Sequence, residues 1–178
     1  MSSNNSRVLG DILEQAVQSA LGVLKDEGKV ILEFTLLRAR KYPDFWVLDA
    51  KGRQWLIECK NLAIKHISEG SKKIEGAKYW LHNLAWVRFN TLFKEWNGHK
   101  FQLRAKSGVK SQASLNTATC QPLLVISHLL FDSEAYQALK QLFGDFIIIL
   151  GHQFLGDDKD KLSLYEQLRE MFTRGGQP

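Results

Sequence analysis

Two carboxylates and an ammonium, Asp44, Glu58 and Lys60, stand on either side of a short turn sequence and together could hold a cation or move a proton. Phe45 to Leu48 and Trp55 to Cys59 are apolar runs rich in aromatic and branched residues. Between them stands Ala50-Lys51-Gly52-Arg53, whose glycine supplies the positive φ of a tight hairpin. Glu58 and Lys60 then share one face of the second strand, while Trp55, Ile57 and Cys59 take the other. Asp44 and Glu58 lie equally far from Lys51, so a hairpin centred there sets them opposite each other, at ~5 Å between Cβ atoms. Slipping the register by one residue separates them.

Like charges at that distance destabilise a sheet unless a cation sits between them or one carboxylate takes up a proton. A divalent metal resolves the conflict most simply. Oxygen-only ligands favour a hard ion, and Mg2+ uses one or two carboxylates together with waters and substrate phosphate. No Cys/His cluster with zinc spacing competes. The plainer reading has Asp44 capping a turn, with Glu58 and Lys60 a solvated pair on an edge strand.

Pro43-Asp44 followed by Glu58-Cys59-Lys60 resembles the motif of the PD-(D/E)XK nuclease superfamily, and the apolar flanks fit as well. The resemblance is specific from Ser6 to about Leu62 and only topological beyond. It implies a restriction-endonuclease-like core and a metal-dependent endonuclease hydrolysing phosphodiester bonds in DNA. Asp44, Glu58 and Lys60 would be catalytic. Mg2+, with Mn2+ as a substitute, would be held by Asp44, Glu58 and the carbonyl of Cys59. Many members add an acid from the first helix, for which Glu14 is the best match, with Glu33 in the following strand a second candidate. Lys60 would orient the attacking water and offset developing charge. A homodimer is expected on the same ground. DNA is preferred because the superfamily acts mostly on DNA; the residues themselves do not separate it from RNA. Three alternatives stay open: an RNA-processing nuclease, a catalytically silent nucleic-acid-binding or regulatory module of the same fold, and an interaction domain whose aromatic helix contacts a protein partner.

The elements that position these groups follow from periodicity. Val8, Leu9, Ile12, Leu13, Ala16, Val17, Ala20, Leu21 and Leu24 recur at helical spacing, with Ser6 as N-cap and Gly28 as a left-handed stop. Glu14 lies at the margin of that apolar stripe. A strand is expected over Val30 to Leu37, and after a polar stretch a helix from about Ile74 to Trp96. The helix is dense in aromatics, most of them read as packing, which leaves Lys72, Lys73 and Lys78 as phosphate-binding candidates. Leu123 to Ser127 and Phe146 to Leu150 read as buried parallel strands joined by a helix that starts near Asp132. A last helix spans Asp158 to Phe172. The assembled order is α-β-β-β-α-β-α-β-α, an α/β mixed β-sheet flanked by helices.

At 178 residues and 44% hydrophobic, the chain suits one domain over 1–178 with a flexible tail at 173–178. There is no apolar run of membrane-spanning length and no charged-then-apolar leader, so no membrane partner and a cytoplasmic location are expected. Cys59 and Cys120 read as buried reduced thiols, and His128 and His152 are given no role. The net charge of +5 is unevenly spread, because Trp96 to Phe131 contains no Asp or Glu. Within it the polar segment 98–121 carries Lys100, Arg104, Lys106 and Lys110, and reads either as a substrate-contacting loop or as a solvated irregular connection with ordinary lysines.

Overall fold

A computed structural model describes residues 3–37, 43–61, 94–104, 110–127, 147–150 and 154–174. The first helix, α1, runs Ser3–Asp26. It buries Leu13, Ala16, Val17, Ala20, Leu21 and Leu24 of the predicted stripe, whereas Val8, near the start of the helix, is exposed. Gly28 ends it at φ +68, with its N–H donating to the Lys25 carbonyl at 2.9 Å. Ser6 is not the N-cap: the helix already includes it, because no Gly or Pro among Ser3, Asn4 and Asn5 halts its growth.

Three antiparallel strands follow: β1 (Ile31–Leu36), β2 (Phe45–Asp49) and β3 (Gln54–Asn61). After them come β4 (Lys100–Arg104), β5 (Lys110–Ser114), a 3-10 turn (Thr117–Thr119) and β6 (Cys120–Ser127). The chain closes with β7 (Ile147–Leu150) and the helix α2 (Asp158–Arg174). β6 pairs parallel with both β3 and β7, giving a five-stranded mixed sheet in the order β1-β2-β3-β6-β7. The parallel pairing expected of the two late strands is present. α2 continues through Thr173 and Arg174, two residues beyond the expected end at Phe172.

The expected element order is corrected in one respect. Residues 98–121 are not an irregular loop, since β4 and β5 form a separate two-stranded antiparallel sheet inside them. The cause is a short alternation: Phe101 and Leu103 on one strand, Ala113 and then Leu115 beyond the other, turn apolar side chains inward while their neighbours stay polar. The expected helices at 74–96 and from about 132 lie almost wholly outside the described residues. Among the described residues no helix is long and apolar enough to cross a membrane.

The sheet separates two cores. Phe45, Val47, Trp55, Ile57, Cys59, Leu123 and Val125 face α1 and α2. Trp46 and Leu56 face the other way, and pack with Trp96, Phe101, Leu115 and Cys120 under the β4–β5 hairpin. Alternation along β3 therefore sends Leu56, and after it Glu58 and Lys60, to the hairpin side.

Asp49 fixes the β2–β3 register. Fully buried, it accepts from the Lys51 and Arg53 N–H groups at 2.9 Å each, from Arg53 Nε at 2.7 Å and from the Trp55 indole at 2.9 Å. Gly52 supplies φ +78 in the same turn. Arg53 and Lys51 then donate to the Phe172 and Thr173 carbonyls, joining the turn to the C-terminal end of α2.

Candidate metal centre

Four pairs define the β2–β3 hairpin: Phe45↔Ile57, Trp46↔Leu56, Val47↔Trp55 and Leu48↔Gln54. Each is symmetric about Lys51; the ladder stops at Phe45, and Asp44, one residue outside it, lies close enough to Glu58 for the two carboxylates to act on each other. The backbone of Asp44 is fixed on both sides. Its N–H donates to the Ile57 carbonyl and its carbonyl accepts from Leu37, each at 2.8 Å. Its side chain turns to β3, where Oδ2 accepts the Cys59 N–H at 2.6 Å.

Glu58 is 5% exposed. Its Oε1 forms a close ion pair with Lys60 Nζ, as their shared face requires. Its Oε2 is buried and has no hydrogen-bond partner among the described residues. Such an atom is costly unless a cation, water or proton meets it.

The electrostatics of Asp44 record the crowding. Burial, followed by the Glu58 charge, raises its pKa from 3.8 to about 7, with a smaller upward push from Glu14. Lys60 and the Cys59 N–H oppose the rise without cancelling it. Burial and the same carboxylates push the Cys59 thiol well above its ordinary value, so it stays protonated and unreactive.

Glu14, half-buried on α1, thus acts on both Asp44 and Cys59. Glu33 is occupied elsewhere: its Oε1 pairs with Lys25 Nζ at 2.5 Å and accepts the Phe34 N–H at 3.2 Å. Between the two candidates for an extra acid, Glu14 is the one beside the cluster.

Among the described residues, no three His, Cys, Asp or Glu side chains gather closely enough to hold a metal by themselves. What is present among the described residues is a pair of neighbouring carboxylates, one with a buried oxygen that has no hydrogen-bond partner there, and a third acid nearby. That donor set fits Mg2+, which retains several waters and takes its remaining ligands from one or two carboxylates and a phosphate.

Of the basic residues singled out by sequence, Lys100 is exposed on β4, and Arg104 pairs in register with Lys110. Lys72, Lys73, Lys78 and Lys106 lie outside the described residues. Sequence reasoning passed over Asn61 and Ser127, paired at the ends of β3 and β6. Asn61 Nδ2 donates to the Phe154 carbonyl at 3.0 Å, and Ser127 Oγ accepts the Phe154 N–H at 2.6 Å. They secure the chain leading into α2 just beyond Lys60.

Compared with family models, with curated proteins and with solved structures, the chain shows no match in any of the three.

Proposed function

We propose that this protein is a Mg2+-dependent endonuclease of the PD-(D/E)XK superfamily, with a restriction-endonuclease-like core, that hydrolyses phosphodiester bonds in DNA. The observation that carries the reading is the convergence of Asp44 and Glu58 from neighbouring chain segments, with Lys60 on the same strand face as Glu58 and one buried Glu58 oxygen that has no hydrogen-bond partner among the described residues.

Asp44 and Glu58 would hold the cation, with the Cys59 carbonyl and Glu14 as supporting donors. When bound, the cation supplies Lewis acidity, which acidifies water and offsets charge on the scissile phosphate. Lys60 would orient the attacking water and offset the negative charge that gathers on the phosphate. The Cys59 N–H keeps Asp44 aimed at the site. Exposed Lys100 and its basic neighbours on the hairpin contribute phosphate contacts, so binding weakens steeply with salt. A homodimer would bring two such sites to two strands.

The close Lys60–Glu58 pair favours one second reading, a catalytically silent nucleic-acid-binding module whose lysine serves only to neutralise the glutamate. Cleavage assays on duplex, single-stranded and branched DNA and on RNA, with Mg2+ or EDTA, separate the two and test the substrate. The endonuclease reading expects Mg2+-dependent cutting of DNA that falls about 10²-fold or more in Asp44→Ala, Glu58→Ala and Lys60→Ala. Wild-type protein that binds DNA without cutting it supports the silent module, and cutting confined to RNA moves the substrate.

A further inference from the structure

We infer that the β4–β5 hairpin is a two-stranded ribbon that enters the major groove of duplex DNA, with Gln102 and Gln112 reading base edges. The inference rests on the proposed function in taking DNA as the ligand, and adds to it the element that would choose the sequence.

The pairing register defines the ribbon's two faces. Phe101↔Ala113 and Leu103↔Ser111 lie on one parity; Lys100↔Ser114, Gln102↔Gln112 and Arg104↔Lys110 lie on the other. Phe101 is buried, and its ring lies 5.1 Å from that of Trp46, while Leu103 and Ala113 pack against the same cluster. The first parity is therefore the anchoring face. Lys100, Gln102, Gln112 and Ser114 are all exposed.

The base of the ribbon is closed by two further bonds. Leu115 N–H donates to the His99 carbonyl at 2.8 Å, and Gly98, at φ +82, donates to the Leu115 carbonyl at 2.7 Å. The exposed face is thus mounted on the main sheet, as a recognition element must be.

Its chemistry selects the ligand. The second parity places an amide pair at the centre, with cationic residues before and after it and no acid. Glutamine side chains pair in bidentate fashion with adenine N6 and N7, an arrangement available in the major groove. Cations on either side suit the flanking phosphates. No aromatic residue stands on this parity, so the stacking platform of a single-strand binder is missing there. A-form RNA is a poor fit because its major groove is too narrow for side chains to read.

Position agrees with composition. The ribbon covers Leu56, and Glu58 is the next residue on that strand face, about 7 Å along β3. Packed layers stand ~10 Å apart, close to the ~8.5 Å depth of the major groove. A ribbon seated in the groove therefore brings the flanking backbone down toward the level of Glu58 and Lys60.

The test is a binding selection with the full chain in EDTA, on DNA duplexes with a randomised centre, followed by affinity measurements on the enriched duplex and on an unselected one. Wild type is expected to enrich a motif containing adenine at fixed positions. The Gln102→Ala/Gln112→Ala variant should lose that motif and bind the enriched duplex about tenfold or more weakly, with little change on the unselected duplex. Lys100→Ala should weaken both duplexes alike and reduce the salt slope by about 1. The glutamines are exposed, so an unchanged melting temperature is expected of the double variant and serves as its folding control.

No enrichment by wild type, a motif retained by the double variant, or tighter binding to single strands or RNA overturns the inference. Adding Mg2+ to the enriched duplex separates the two readings. Binding that behaves as expected without cutting removes the nuclease and leaves the ribbon, whereas cutting with glutamine-independent binding removes the ribbon and leaves the nuclease.

Discussion

The backbone N–H of Cys59 donates to Oδ2 of Asp44 at 2.6 Å, tying the residue that precedes β2 to the strand that carries Glu58 and Lys60. A bond of this kind favours the ionised carboxylate. Asp44 nevertheless has its pKa raised to about 7, because burial and the Glu58 charge together outweigh this bond and Lys60. The acid is held in place while its charge is resisted. A cation that replaced the proton would relieve the conflict without moving the chain.

That conflict gives a pH dependence of defined sign. Between pH ~4 and ~7 the folded chain keeps a proton on Asp44 that the unfolded chain has lost, so stability falls as pH rises through this window and levels off above it. Asp44→Asn removes the term while keeping an acceptor for Cys59. In EDTA, the variant should gain about 1–3 kcal/mol on wild type at pH 8 relative to the difference at pH 5, measured from urea midpoints. A difference independent of pH contradicts the assignment.

Asp49→Ala should destabilise by about 3–5 kcal/mol, since it removes a buried carboxylate and leaves the partly buried Arg53 and the Trp55 indole without it. The register of β2 against β3 depends on this turn. Cleavage should therefore fall even under conditions where the variant remains folded, although Asp49 lies away from the cluster. Equilibrium denaturation and a cleavage assay on the same preparation check both parts.

Gly156→Ala tests how α1 is seated. Gly156 has φ +81, and an added Cβ would stand 2.9 Å from Ile12 Cγ2, two residues from Glu14. The left-handed backbone alone costs about 1–2 kcal/mol for an alanine, and the clash adds to it. A drop in melting temperature of several degrees is expected; an unchanged value would show that this loop does not constrain the helix.

The hairpin centre was legible because turn chemistry states it directly: Gly52 takes the left-handed φ, and the apolar runs on either side are symmetric about Lys51. The α1 stripe and the parallel strands β6 and β7 follow from simple periods, three to four residues in one case and unbroken apolar runs in the other. The β4–β5 ribbon was hidden because its alternation covers few residues, and its strands are rich in Lys, Gln and Ser rather than in β-branched types. Asp49 reads in sequence as a strand end, since nothing local shows that four donors converge on it. The bonds that Asn61 and Ser127 make to Phe154 span 93 and 27 residues, beyond the reach of any local pattern.

If Asp44 and Glu58 together hold a divalent cation, as proposed, Mg2+ must stabilise the folded chain, and thermal unfolding reads that binding. A ligand bound only by the folded chain stabilises by about 2.7 kcal/mol at a hundredfold excess over its Kd. At pH 8, the melting temperature of wild type should rise with Mg2+ by several degrees and saturate, rise less at pH 5.5 where Asp44 keeps its proton, and not rise in Asp44→Asn or Glu58→Gln. An Mg2+ response that is absent in wild type, or the same in all three proteins, would show that the two carboxylates do not share a cation.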